Sequence, residues 1–345
     1  MPEVSVAIPV RDGGALFAGV LEALAGQTVA HELLVCDSGS SDSSVARARA
    51  HGARVLEIEP RRFNHGATRN LLMQAATGTH VALLTQDSQP ADERWLEHIL
   101  RGFELAEDVA IVYGPYRPRA DAPAPVRLEL ERWFDSLSPD GSPQLERLGE
   151  GERPSSAEGH AALPVLELVG RRGFFTDANA CLSRAAWERV PFRTVGTAED
   201  RVLAIDMLRA GYAKAFVPEA AVIHSHSYTA SEQLRRCFDE WRGLREVYGW
   251  REPASPRHLL AQLRGELAQA NVQLRAEGAS PGCRRATLAA VARHHVLCRS
   301  GALLGSRADR LPAAIARRLS LEGRAGFTAL DLDAAPETPP TDPSI

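Results

Sequence analysis

The sequence predicts an α/β protein organised around a doubly wound, mainly parallel sheet. Three observations carry this. Short apolar runs without period-two alternation, such as Val6-Ala7-Ile8, Leu33-Leu34-Val35-Cys36 and Val81-Ala82-Leu83-Leu84, read as strands buried on both faces. Helical patterns separate them, giving repeated strand–helix units. Two of the runs then stop on an acid, in Glu32-Leu33-Leu34-Val35-Cys36-Asp37 and in Leu83-Leu84-Thr85-Gln86-Asp87. Ligands of open α/β sheets bind just beyond the carboxyl ends of the strands, so two such aspartates face one crevice. A nucleotide with a divalent metal suits that crevice, because a metal held through phosphates needs only one or two protein carboxylates.

The elements follow in order. Strands are expected over residues 4–9, 31–37, 55–58, 81–85 and 109–113, and helices over 14–26, 43–51, 67–76 and 92–103. The helix at 43 opens on a Ser and Asp cluster suited to capping. Asp92 and Glu93 complement the dipole of the helix they open. From 115 to 164 the chain turns rich in Pro, Gly, Ser and charge, with one helical pattern over 128–137. A loop of that length in a compact domain is a functional lid or is disordered. Ordered texture resumes at Phe174-Phe175-Thr176-Asp177-Ala178-Asn179-Ala180, and a helix opens near Glu199. Residues 231–306 read as helical, with Arg and Lys on the polar faces. These shifts divide the chain into a domain over 3–230 with 117–165 as a loop or lid insertion, a helical region over 231–320, and a tail over 334–345. The tail mixes prolines with acids and is expected to be disordered.

With 345 residues the chain buries a sizeable core. A net charge of −4 gives it no general attraction to nucleic acid or anionic membranes. No long uncharged apolar run suggests a membrane-spanning helix. The amino terminus enters a strand at once, without a charged leader or cleavage site, so a cytoplasmic location is expected. The cysteines, Cys36, Cys181, Cys237, Cys283 and Cys298, have no paired spacing and read as buried reduced thiols rather than a disulfide framework or a zinc motif.

Several residues are candidates for chemistry, each with a plainer alternative. Asp37, in Asp37-Ser38-Gly39-Ser40-Ser41-Asp42, would accept hydrogen bonds from a base or ribose. Capping the next helix suits Asp42 or Ser41 better. Asp87 is the best metal ligand, though a strand-end aspartate can also start a turn before Pro90. Phe63-Asn64-His65-Gly66-Ala67-Thr68-Arg69-Asn70 packs polar groups at a helix start that favours anions. Arg69 there lies near base or phosphate, or simply on a solvated face; the residues alone weigh these equally. Glu199 and Asp200 precede an amphipathic helix: one acid can cap it while the other acts as a general base, or both are caps. His224 and His226 share a side if their run is a strand, and would reach one metal or diphosphate, or rest at the surface.

Taken in order, Ile8-Pro9-Val10, Cys36-Asp37-Ser38-Gly39-Ser40-Ser41-Asp42, Phe63-Asn64-His65-Gly66-Ala67-Thr68-Arg69-Asn70 and Leu84-Thr85-Gln86-Asp87 resemble the inverting family 2 glycosyltransferases, most closely the bacterial rhamnosyltransferase branch. Ala198-Glu199-Asp200-Arg201, Gly211-Tyr212 and His224-Ser225-His226-Ser227-Tyr228 continue the pattern. The resemblance covers residues 3–230 and is weaker over the helical region. It implies a GT-A fold, a nucleotide-binding sheet merged with an acceptor-binding half. It further implies that Asp37 reads the pyrimidine, that Pro9, Arg11, Arg69 and Gln86 line the donor nucleotide, and that Asp87 holds Mg²⁺ or Mn²⁺ on the diphosphate. The family's Asp-x-Asp element departs here to Gln86-Asp87-Ser88-Gln89, so His224 or His226 would complete the metal shell. Asp200 would deprotonate the acceptor hydroxyl, with Glu199 the second choice.

The implied donor is a nucleotide-sugar, dTDP-L-rhamnose by branch. The implied acceptor is a glycan or lipid-linked hydroxyl; a lipid-linked one lies at the inner face of the membrane, and the Arg-bearing helices after Leu259 either touch that surface or simply present a solvated face. Two rivals stand beside this. A sugar nucleotidyltransferase carries a Gly-rich loop with Arg or Lys after its first strand, and Pro9-Val10-Arg11-Asp12-Gly13-Gly14 lacks the lysine. An inert nucleotide- or glycan-binding relic would share the fold, and turnover separates it.

Overall fold

A computed structural model describes residues 3–149, 170 and 172–332. The chain forms two compact units, one of Met1–Arg117, Trp133–His224 and Leu332–Ile345, the other of Pro118–Arg132 and Ser225–Asp331.

The first unit is a sheet with helices. In chain order it holds β1 (Val4–Val10), α1 (Gly14–Ala25), β2 (His31–Asp37), α2 (Ser44–Ala50), β3 (Arg54–Glu57), α3 (His65–Ala75) and β4 (His80–Leu84). Next come the short β5 (Gln89–Pro90), α4 (Trp95–Arg101), β6 (Val109–Tyr113) and the short β7 (Tyr116–Arg117). The helix α5 (Ala124–Leu137) begins in the other unit and ends in this one. The first unit then continues with β8 (Gln144–Glu146), β9 (Asn179–Ser183), α6 (Arg184–Arg189), α7 (Glu199–Arg209), β10 (Ala213–Phe216) and β11 (Val222–Ile223).

The eight-stranded sheet runs β3-β2-β1-β4-β9-β6-β10-β8. The β3, β2, β1 and β4 pairings are parallel, as is β6 with β10; β9 lies antiparallel between β4 and β6. Every residue of β1 except Pro9 is buried, as a strand covered on both faces requires. Phe17, Val20, Leu21 and Leu24 of α1 pack onto Val6, Ile8 and Val10, each full burial stabilising by about 1.5–3 kcal/mol. β2 and β4 flank β1 on opposite sides, so the strand order reverses at β1 and opens a crevice at the carboxyl ends. A second sheet, β5-β11-β7, carries the chain past that edge to His224.

The second unit adds α8 (Ala230–Tyr248), α9 (Pro256–Ala276), α10 (Pro281–Gly305) and α11 (Ala313–Leu319). The helical stretch expected over 231–306 is thus three helices. Gly249 and Gly278, at φ +67° and +73°, adopt the left-handed turn that ends a helix, and Ser255-Pro256 and Ser280-Pro281 restart the chain. Leu128 of α5 packs with Ala270, Leu274 and Val291. Among the described residues no helix is long and apolar enough to cross a membrane.

Two expectations change. The 115–164 stretch holds β7, α5 and β8, while residues 150–169, Arg171 and the 334–345 tail lie outside the described residues. Of the thiols, Cys36, Cys181 and Cys237 are buried; Cys283 is exposed in the first turn of α10, and Cys298 is half-buried.

Candidate functional site

The loops after β1 and β2 are latched together. Asp37, 4% exposed, accepts from the backbone N–H groups of Gly39 (2.9 Å) and Ser40 (3.0 Å), which bends its own loop around its carboxylate. Gly39 takes φ +92° there, and a side chain would meet Pro60 at 2.6 Å. Asp12, at φ +47°, accepts from Ser41 N–H (2.7 Å) and its hydroxyl (3.0 Å), while Asp42 accepts from Gly14 N–H (3.0 Å). Asp42 therefore ties the two loops together and also accepts from Ser44 N–H (2.9 Å) at the start of α2, where Ser43 itself makes no side-chain cap. Pro9 sits opposite Cys36 in the β1–β2 register, and the Arg11 N–H donates to Gln86 Oε1 (2.8 Å), joining the ends of β1 and β4.

At the end of β4 the Thr85 hydroxyl donates to Asp87 Oδ1 (2.9 Å) and bonds to Ser88 Oγ (2.7 Å). Ser88, fully buried, reaches His224 Nδ1 at 3.2 Å. That imidazole nitrogen lies 3.6 Å from Asp87 Oδ1. A carboxylate oxygen and an imidazole nitrogen this close, aligned by a hydroxyl pair, suit a divalent cation such as Mn²⁺. His226 is exposed, in the first residues of the second unit, with its ring stacked on Tyr228 at 5.2 Å.

The string at the start of α3 clamps this helix to the segment between β9 and α7. Asn64 caps α3 through Ala67 N–H (3.0 Å) and donates to Val195 O (2.7 Å). Asn70 donates to Phe192 O (2.8 Å) and accepts from Trp187 Nε1 (2.8 Å) and Phe192 N–H (3.0 Å). A Cβ on Gly66 would lie 2.3 Å from Arg193 O, so only glycine allows this approach. Arg69, 1% exposed, pairs with the buried Asp177. It is therefore not on a solvated face, and much of its charge is answered within the protein.

α7 opens on a strained residue. Ala198 precedes it at φ +60°, a left-handed conformation that costs a non-glycine residue about 1–2 kcal/mol and recurs at functional sites. Ala198, at the N-cap, offers no side-chain cap. Glu199 is buried, with Oε1 3.8 Å from His65 Nδ1. Asp200 is half-buried and accepts from Arg201 N–H through Oδ1 (2.7 Å). Desolvation, then the negative charges of Asp177 and Glu199, pushes its carboxyl up to about 8. Tyr116 joins the two halves of the constellation: its hydroxyl bonds to Thr176, its ring meets His224 edge-on at 4.8 Å, and burial pushes its phenol up, aided by the negative fields of Asp200, Asp177 and Asp87.

Asp87 with His224, and Asp200 with Glu199, thus share the surroundings of Tyr116, while Asp37, Arg11 and Gln86 line the neighbouring strand ends. Asp177, Tyr116, Thr176 and Asp12 were not singled out from the sequence. The signal for Asp177 was a carboxylate set between Phe174-Phe175 and the buried strand β9, where an acid needs a partner.

Comparison with known proteins gives the family. Residues 5–148 match the family model described as glycosyl transferase family 2. The O-antigen chain rhamnosyltransferase RfbN of Salmonella typhimurium is 30% identical over 244 residues, 69% of this chain and 71% of that protein. The chain is a family 2 glycosyltransferase. The O-antigen chain rhamnosyltransferase WbaN of Salmonella anatum is also 30% identical to this glycosyltransferase, over 213 residues, 60% of this chain and 61% of that one. Among solved structures, the mannosyltransferase PcManGT from Pyrobaculum calidifontis, in complex with GDP-Man and Mn²⁺, superposes with a TM-score of 0.55 at 18% identity, covering 90% of this chain and 86% of its own. That likeness, together with the sheet order, gives the glycosyltransferase a GT-A fold.

Proposed function

We propose that this glycosyltransferase moves L-rhamnose from dTDP-L-rhamnose onto a hydroxyl of a glycan or lipid-linked acceptor, inverting the anomeric carbon in one displacement. The observation that carries the mechanism is Asp200. A half-buried carboxylate pushed up to about 8 is a base matched to near-neutral pH, and its position beside Tyr116 and Asp177 keeps it out of bulk water. With Oδ1 held by Arg201 N–H, the carboxylate takes the proton of the acceptor hydroxyl as that oxygen attacks the anomeric carbon. Glu199 faces His65 and is the second choice for this role.

Asp37 reads the pyrimidine from the end of β2, with Pro9, Arg11 and Gln86 shaping the adjoining rim. Arg69, which the family resemblance sets at the nucleotide, is buried on Asp177, so its support for the site would run through that carboxylate, which also lies in the field of Asp200. Asp87 and His224 would hold Mg²⁺ or Mn²⁺, with His226, two residues on, completing the set. Such an ion supplies positive charge against the departing diphosphate. One carboxylate base and no carboxylate nucleophile distinguishes this from the retaining two-carboxylate scheme. The rhamnose donor is supported by the likeness to the two Salmonella O-antigen chain rhamnosyltransferases. Exposed Arg257, Arg264, Arg275 and Arg293 beside exposed Leu260, Val272 and Val296 support peripheral contact with the inner membrane face.

Calorimetric titration with dTDP-L-rhamnose and with UDP-sugars, with and without Mg²⁺ or Mn²⁺, tests the proposal. Metal-dependent binding selective for the thymidine donor is expected. Selective binding of a UDP-sugar overturns the donor, and absence of any nucleotide-sugar binding overturns the function.

A further inference from the structure

Tyr116 is held through both its backbone and its side chain. It pairs with Val222 where β7 meets β11, and the carbonyl of the next residue, Arg117, accepts the His224 N–H at 2.9 Å. β7 therefore sets the level of that histidine. Just upstream, a Cβ on Gly114 would lie 1.8 Å from Ala220 O, so only glycine fits. Asn179 Nδ2 donates to Pro115 O (3.2 Å) and to Ala220 O (2.8 Å). The chain entering Tyr116 is thus fastened to the start of β9.

The side chain makes two separate connections. Its ring meets Phe134 at 5.0 Å and His224, edge-on, at 4.8 Å. Its hydroxyl bonds to Thr176 Oγ1, which also accepts from Ala178 N–H at 3.4 Å. Thr176 Oγ1 therefore spans Asp177, a carboxylate only 6% exposed that pairs with Arg69 and bears on Asp200. The ring serves the side of Asp87 and His224, and the hydroxyl serves the side of Asp177 and Asp200. A half-buried phenol with one hydrogen bond is explained by polar satisfaction alone. That plainer reading gives no reason for a hydroxyl at this position, because phenylalanine would fill the same space beside Phe134 without desolvating an O–H.

We propose that Tyr116 is a positioning residue for transfer: its hydroxyl, through Thr176, fixes Asp177 and thereby the carboxylate of Asp200, while its ring fixes the imidazole of His224. The inference rests on Asp200 as the base and on Asp87 with His224 as the metal pair. Tyr116 is given no contact with the reacting atoms. It holds the base side and the metal side at one separation, and a misplacement of about 1 Å between such groups costs on the order of 10²-fold in rate. Hydroxyl and ring can be removed separately, so the two roles give different losses.

The test follows dTDP release from dTDP-L-rhamnose in single turnover with Mn²⁺ and water as acceptor, beside calorimetric donor affinity with and without Mn²⁺. Tyr116→Phe is expected to slow release at least about tenfold while Mn²⁺-dependent affinity stays within about twofold. Thr176→Val is expected to do the same, and Thr176→Ser, which restores the hydroxyl, to recover most of that loss. The variant carrying both Tyr116→Phe and Thr176→Val is expected to be no more than about twofold slower than either alone, because the two hydroxyls act as one unit. Tyr116→Leu also removes the ring and is expected to weaken Mn²⁺-dependent affinity at least about tenfold. If Tyr116→Leu does not fold, the Phe and Val variants, which keep the shape of the site, decide the matter. Release unchanged in Tyr116→Phe, losses that multiply in the double variant, or Mn²⁺-dependent affinity lost in Tyr116→Phe overturns the proposal. Wild-type protein that fails to bind the donor or to release dTDP from it overturns the functional reading, and this inference with it.

Discussion

The most telling perturbation is pH, because the proposed base has an uncommon proton affinity. Desolvation first, and the charges of Asp177 and Glu199 next, push the Asp200 carboxyl up to about 8 from the ordinary 3.8. At pH 7 only about a tenth of the free enzyme then carries the ionised base, and kcat/KM is expected to rise about tenfold to a plateau above pH 9. The same proton appears in stability. The folded state holds it between pH 4 and pH 8 while the unfolded chain has released it, so this group's contribution to stability falls as pH rises through that window. Asp200→Asn is therefore expected to leave stability unchanged near pH 4 and to raise it at pH 8, while transfer is lost. The assay is carboxyl titration by carbon NMR of aspartate-labelled protein, assigned with Asp200→Asn, alongside nucleotide release over pH 6–9.5. Glu199→Gln removes one of the raising charges and is expected to shift both curves down by about one unit. All aspartates titrating below pH 5, or a flat rate over this range, would refute the reasoning; loss of turnover in Glu199→Gln alone would move the base to Glu199.

Asp87→Ala is expected to abolish the metal-dependent part of donor affinity in calorimetry; metal dependence that persists would assign the ion to the histidines. Arg69→Met leaves Asp177 as a buried uncompensated charge and is expected to cost about 3–5 kcal/mol in urea unfolding. Ala198→Gly relieves a left-handed alanine, and is expected to stabilise by about 1 kcal/mol in thermal unfolding while lowering kcat as Glu199 and Asp200 lose their fixed approach.

The parallel strands were legible because burial on both faces writes an unbroken apolar run, and the runs ending at Asp37 and Asp87 marked the crevice from local pattern alone. β9 was not legible as a sheet member, since five residues between a loop and a helix start carry no sign of direction. The string from Asn64 to Asn70 was visible as a motif, but its work was not. Asn64, Gly66, Arg69 and Asn70 act on Val195, Arg193, Asp177 and Phe192, partners that only the fold assembles. Asp177 stayed hidden for the same reason.

The place of β9 in the sheet has a consequence for how the chain is made. It is the last strand to emerge among its immediate neighbours, yet it alone joins β4 to β6. Until the ribosome has delivered Ser183, both neighbours present open hydrogen-bonding edges of the kind that recruit other chains. About 70 residues separate the end of β6 from that point, which at about 5–20 residues per second is a wait of about 4–14 s. Closure also demands a long-range pairing, the slow kind. The nascent glycosyltransferase is therefore most vulnerable to aggregation midway through synthesis, and fragments ending before β9 will be insoluble where slightly longer ones survive.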